Sequence, residues 1–82
     1  MSKAIATLEM AGNKYKGEGK TVIEAFKAIP LDYTQVKHKG TLRVEHDGKS
    51  FERLFPVLAL RRMFASRILK EHWAHSVAKF LK

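Results

Sequence analysis

The sequence contains no cysteine, two prolines and one tryptophan among its 82 residues. The lack of cysteine excludes disulfide bonds, thiolate metal ligands and a cysteine nucleophile, and it suits a reducing compartment. The longest apolar run, residues 54–60, is interrupted by Pro56 and is too short to cross a membrane. The first residues also lack the apolar core of a signal peptide. We therefore expect a cytoplasmic protein.

Acidic residues are scarce as well. Eight Asp and Glu stand against sixteen Lys and Arg, which gives a net charge of +8. Such a surplus attracts polyanions and bears on partners rather than on fold. It predicts a small basic binding protein that contacts nucleic acid or a nucleoprotein complex. The alternatives are an acidic protein partner, which the chain would bind as an adaptor or inhibitor, and a charge that serves only solubility.

The length predicts one domain over residues 1–82, since a second core could not bury enough apolar surface. Residues 4–10 alternate with a period of two, which indicates a strand that is buried on one face. A reversal at Gly12-Asn13 would place Met10 opposite Tyr15 on the inward face and Glu9 opposite Lys16 on the outward face.

A helix is predicted to follow the first hairpin. Thr21-Val22-Ile23-Glu24 reads as a capping box, and Pro30 ends the helix because the residue before proline avoids helical geometry. The inward residues at helical spacing are Val22, Phe26 and Ile29. A linker with a basic cluster, residues 31–39, leads to the second half of the chain.

The second half repeats this pattern. Asp47-Gly48 is the strongest hairpin signal, and it sets Val44 against Phe51 and Arg43 against Glu52. The same register places Arg53 on the inward face beside Leu42, which requires either a bulge or a position at the margin of the sheet.

The last predicted element runs from Pro56 to about Lys82 and carries two apolar stripes on nearly opposite sides. The first stripe comprises Val57, Leu60, Phe64 and Ile68, and the second comprises Leu69, Trp73, Val77 and Phe80. A straight helix on one sheet cannot bury both stripes. Either the helix bends near residues 66–70, or its distal half packs on the first helix or on another molecule.

These elements predict an α+β fold in the order ββαββα, with an antiparallel sheet from two hairpins and two helices on one face. The hairpin and helix of residues 4–29 and those of residues 40–82 form a weak internal repeat. Whether the two hairpins share one sheet is left open by the sequence, as is the choice between a monomer and a homodimer.

Candidate binding residues follow from charge and from apolar spacing. Trp73, Val77 and Phe80, with Leu69, predict a protein interface, and packing inside the monomer is the alternative. Basic side chains at loop and helix edges predict contacts to phosphates, because Lys and Arg neutralise phosphate with little sequence preference. These residues are Lys14, Lys16, Lys20, Lys37, Lys39, Arg61, Arg62, Arg67 and Lys70.

Catalytic and metal chemistry find little support in the sequence. His72 and His75 are one helical turn apart, but a closed metal site needs further ligands, and a solvated helix face is the favoured interpretation. Residues 17–21 resemble a fragment of a phosphate-binding loop but lack its glycine spacing. We therefore predict no enzyme activity, no metal site and no cofactor.

Overall fold

The computed structural model describes residues 3–81 as one four-stranded antiparallel sheet with helices on one face. The two hairpins share this sheet, in the strand order β2-β1-β3-β4, so β2 and β4 form its two edges. The α+β class and the order ββαββα are confirmed. The strands are β1 (Ala4–Met10), β2 (Asn13–Gly19), β3 (Gly40–His46) and β4 (Lys49–Phe55). The helices are α1 (Val22–Lys27), α2 (Val57–Met63) and α3 (Arg67–Phe80), with a 3-10 turn at Tyr33–Gln35.

The second hairpin has the predicted register. Val44 pairs with Phe51, Arg43 pairs with Glu52, and Leu42 pairs with Arg53. Its two turn residues, Asp47 and Gly48, have φ values of 53° and 76°, as a two-residue hairpin turn of the right twist requires.

The predicted register of the first hairpin is wrong. The turn lies at Ala11-Gly12, with φ values of 51° and 83°, so Met10 pairs with Asn13 and Glu9 with Lys14. Alanine is unfavourable at positive φ, which is why the sequence pointed to Gly12-Asn13 instead. The shift moves each pairing by two positions, and the faces of the strand are unchanged because side chains alternate with a period of two.

Arg53 lies on the inward side of an unbulged edge strand. Its pairing with Leu42 is regular, its side chain is exposed, and its guanidinium carbon lies 5.6 Å from the centre of the Phe55 ring. The margin position, rather than a bulge, therefore accommodates the charge.

The first helix begins at a capping box, as predicted, with one difference. The Thr21 hydroxyl accepts a hydrogen bond from the Glu24 amide at 3.1 Å, and the Glu24 carboxylate accepts from the amide of Lys20, not Thr21, at 2.8 Å. The predicted inward residues of the helix, Val22, Phe26 and Ile29, are buried.

The last predicted helix is broken, and the break resolves the conflict between its two stripes. Residues 64–66 separate α2 from α3, and the Ser66 hydroxyl caps α3 by accepting from the Leu69 amide at 3.1 Å. Leu60 and Phe64 are buried as predicted, but Ile68 is 80% exposed because α3 starts in a new direction. The predicted helix end at Lys82 lies outside the described residues.

The residues 31–39 form more than a linker. Leu31 and Val36 are buried in the core, and the Asp32 and Gln35 side chains form a capping box around the 3-10 turn. Val36 is completely buried. Residues 31–36 of this segment therefore pack with the helices, and the exposed basic residues Lys37 and Lys39 follow them.

Candidate binding surfaces

The outward face of the sheet carries charges of both signs that pair with each other. Lys14 lies 3.7 Å from Glu9, Lys16 lies 3.2 Å from Glu18, and Arg43 lies 2.7 Å from Glu45. The pKa of Glu18 is lowered from its ordinary value, first by a hydrogen bond from Lys3 and then by one from Lys16. Because these pairs are exposed, their main consequence is a face with little net field.

The surplus charge lies off the outward face of the sheet. This face carries four carboxylates and four cations, one of which is Lys3, whose Nζ lies 3.2 Å from a Glu18 carboxylate oxygen, so its net charge is zero. The rest of the sequence holds the other twelve of sixteen cations and four of eight carboxylates, a charge of +8. The outward residues are Lys3, Ile5, Thr7, Glu9, Lys14, Lys16, Glu18, Thr41, Arg43, Glu45, Ser50, Glu52 and Leu54.

We define the basic surface as Lys37, Lys39, Arg61, Arg62, Arg67 and Lys70. Apart from Lys70 its side chains are exposed, and residues 56–70 contain no carboxylate. The Arg61 Nε donates a hydrogen bond to the Val36 carbonyl at 3.0 Å, which fastens the loop at Lys37 to α2. A shallow depression beside this contact is lined by Lys37, His38, Lys39, Leu54, Pro56 and Val57.

Lys70 contacts a backbone carbonyl and an aromatic ring. Its Nζ donates to the Ile29 carbonyl at 2.9 Å and lies 5.3 Å from the centre of the Phe64 ring. Removal of this ammonium from water lowers the pKa of Lys70 from its ordinary value. Lys27 and Arg67 line the depression next to it. Two of the predicted phosphate contacts, Arg61 and Lys70, therefore also stabilise the fold.

The remaining predicted phosphate contacts lie elsewhere. Lys14 and Lys16 are on the outward face of the sheet, paired with carboxylates. Lys20 stands between β2 and α1, where Glu24 accepts from its amide. This carboxylate and the Thr21 hydroxyl accept hydrogen bonds from the Lys20 and Glu24 amides at the start of α1.

The predicted protein interface is divided by the fold. Val77 is 2% exposed and belongs to the core, whereas Phe80 is 63% and Leu69 40% exposed. Trp73 is half-buried, with its ring edge-on to Phe55 at 6.1 Å between centres.

The sequence analysis did not include β4 in the predicted protein interface. Phe51 of β4 stacks on Phe80 at 5.3 Å, and Arg53 lies between Phe51 and Phe55 in the inward row of the same strand. The predicted register of the second hairpin already shows which β4 residues point inward. The approach of α3 to β4 depends on the break before Ser66 and could not be read from spacing.

The histidines do not form a metal site in the described part of the chain. His72 and His75 are exposed, and His75 Nε2 lies 3.9 Å from a Glu71 carboxylate oxygen. Across residues 3–81, no three His, Asp or Glu side chains are close enough to share a metal ion.

Over the same residues, no helix combines the length and apolar character needed to cross a membrane. The chain matches no protein-family model, no curated protein and no solved structure.

Proposed function

We propose that this chain is a non-catalytic binding protein that contacts nucleic acid, alone or within a nucleoprotein complex, through the phosphates. The supporting observation is the segregation of charge. The outward face of the sheet is internally paired, so the surplus of cations belongs to the other side and the edges of the molecule. A field of one sign on one side attracts a polyanion and orients it.

The basic surface fits backbone contacts better than base recognition. Apart from Lys70, its arginines and lysines are exposed. They are carried by a loop and two helices, which the hydrogen bonds from Arg61 to the Val36 carbonyl and from Lys70 to the Ile29 carbonyl hold in place. The outward face of the sheet carries no aromatic side chain on which bases could stack. We therefore expect little sequence preference and binding that weakens steeply with salt.

The test compares two double variants that remove the same charge from opposite faces. Arg62→Gln with Arg67→Gln removes two of the six charges of the basic surface and spares Arg61 and Lys70, whose side chains bond to backbone carbonyls. Lys14→Gln with Lys16→Gln removes the same two charges from the paired face.

Binding to generic duplex DNA and to single-stranded RNA is measured by fluorescence anisotropy across a series of salt concentrations. The arginine variant should flatten the slope of log affinity against log salt by about 1.8 for a duplex, since each phosphate contact contributes about 0.9. The lysine variant should leave the slope nearly unchanged. Equal losses in both variants would show that net charge alone acts, and absence of binding to either polymer at low salt would refute the proposal.

Two further points belong to this proposal. A cytoplasmic location is part of it, because a cysteine-free chain suits a reducing compartment. The absence of enzyme activity is also part of it, supported by the position of His72 and His75 on an exposed face of α3. An acidic protein partner is the second candidate, favoured by the exposed cation Arg53 on β4 and the exposed ring of Phe80, which stacks on Phe51.

A further inference from the structure

The edge of the sheet at β4 is open and lies next to an exposed apolar strip. Among residues 3–81, β4 pairs only with β3, and its pairing runs without a bulge from Lys49 to Phe55. Its other side therefore presents backbone donors and acceptors along a regular strand, the arrangement to which another strand can be added.

The apolar strip belongs to the side of α3 that faces away from α1. Glu71 of α3 lies 3.9 Å from Lys27 of α1, which fixes the side that the two helices share. At 100° per residue, Leu69, Trp73 and Phe80 lie on the opposite side, above β4. Phe80 is stacked on Phe51 and is 63% exposed, so this contact leaves most of the ring uncovered.

The inward row of β4 alternates cations with aromatic rings, in the order Lys49, Phe51, Arg53, Phe55. An added strand contributes side chains directly opposite this row, at roughly 5 Å between Cβ atoms. Its most favourable inward residues are apolar opposite the two rings and acidic opposite Arg53. On the outward face, a basic residue would oppose Glu52.

A second copy of the chain fits this edge poorly. Residues opposite each other in an antiparallel pair share a face, so β4 can meet another β4 only in registers of matching face. The full-length register opposes Glu52 to Glu52 of the copy. A slide of one pleat repeat opposes Arg53 to Arg53, or Lys49 to Arg53. Like charges directly opposite are destabilising, and an inward charge on an edge strand is a known device against self-association.

We propose that the β4 edge accepts an extended segment of an acidic protein partner, which adds a fifth strand antiparallel to β4. The segment carries the pattern apolar–any–acidic–any–apolar, with its acidic residue opposite Arg53 and its apolar residues against Phe51 and Phe55. The strip formed by Leu69, Trp73 and Phe80 then covers the inward side chains of the added strand. This surface shares no residue with the basic surface, so either proposal can fail alone.

The probe is the capped peptide Thr-Val-Thr-Glu-Lys-Val-Thr, with a control in which Lys replaces the central Glu. Each is titrated to millimolar concentration into the ¹⁵N-labelled full chain, and amide and indole shifts are followed by NMR. The Glu peptide should shift the amides of residues 49–55 and the Trp73 indole, and it should bind at least about fivefold more tightly than the Lys peptide.

The variant Arg53→Glu should reverse this preference, because it exchanges the sign of the charge that the central residue meets. Arg53 is exposed, so the variant should keep the dispersed spectrum of the fold; if it unfolds, Arg53→Gln should instead make the two peptides bind equally. The variant Phe80→Ser should weaken both peptides. Shifts confined to other residues, no shift at millimolar peptide, or equal binding of the two peptides by the unaltered chain would overturn the proposal. So would shifts at β4 caused by self-dilution of the protein alone, which would assign the edge to a second copy.

Discussion

The molecule contains two hairpins, each followed by helical structure, and the two units use their edge strands in opposite ways. In the first unit, α1 lies directly on the backbone of β2, whose inward row includes two glycines. In the second unit, α3 stands above β4 on aromatic side chains, and part of that contact stays exposed. A close backbone contact covers the inward face of β2, and a contact through large side chains leaves part of the inward face of β4 exposed.

The difference follows from side-chain size. A Cβ atom at Gly17 would collide with the Ala25 carbonyl and lie 2.6 Å from the Ile29 amide nitrogen, so only glycine permits this approach of α1. Phe51 and Phe55 hold α3 away from β4 instead. The first unit is therefore the more closely packed part of the fold, and the second leaves apolar side chains exposed between α3 and β4. Three experiments test this contrast.

The largest expected effect comes from the aromatic residues of the two units. Phe26 is completely buried and stacks on Phe64, so Phe26→Ala should lower the free energy of unfolding by about 3–5 kcal/mol. Phe80 is 63% exposed, and Phe80→Ala should cost about 1 kcal/mol or less. Urea denaturation followed by circular dichroism measures both. If Phe26→Ala leaves no folded protein, Phe26→Leu should cost about 1 kcal/mol. Equal costs for the two alanine variants would contradict the contrast.

A smaller effect is expected from the glycine contact. Gly17→Ala forces β2 and α1 apart and should cost about 2–3 kcal/mol. Gly48→Ala is the matched control, because its added Cβ meets nothing within 4 Å and its only penalty is a φ of 76°, worth about 1 kcal/mol. Thermal unfolding measures the loss of stability in both variants. A Gly17→Ala protein as stable as the Gly48→Ala protein would mean that α1 is not held at this distance.

The smallest effect concerns Lys70, which joins the two units through the Ile29 carbonyl. Lys70→Met removes this hydrogen bond and should cost about 1 kcal/mol near neutral pH. Desolvation lowers the pKa of Lys70 in the folded state, so between that value and the ordinary value of 10.5 the unfolded chain binds more protons than the folded one.

This difference in proton binding fixes the sign of the pH dependence. The stability of the unaltered protein relative to Lys70→Met should rise with pH through that window and stay constant below it. Urea titrations of both proteins at several pH values up to the ordinary pKa measure the difference. A difference that falls with increasing pH would show that the ammonium is stabilised, not penalised, at this site.

Local signals in the sequence located most elements but not every pairing. Asp47-Gly48 fixed the second register because both residues tolerate positive φ. Ala11 does not, so the local signal predicted the wrong register for the first hairpin. Pairing with the neighbouring strands and burial of the core set the observed register. Charge spacing suggested nine phosphate contacts, but only the fold separates Lys14 and Lys16 from the basic surface.

The sequence by itself determined the strands, the start of α1 and the surplus of cations, because alternation, capping and composition act over a few residues. The two apolar stripes allowed either a bend near residues 66–70 or packing of the distal half elsewhere. Tertiary structure decided for a break before Ser66, and with it the exposure of Ile68 and the position of Phe80 beside an open edge strand. These features depend on how segments that are far apart in the sequence pack together. The spacing of residues within one segment does not encode how closely it can approach another.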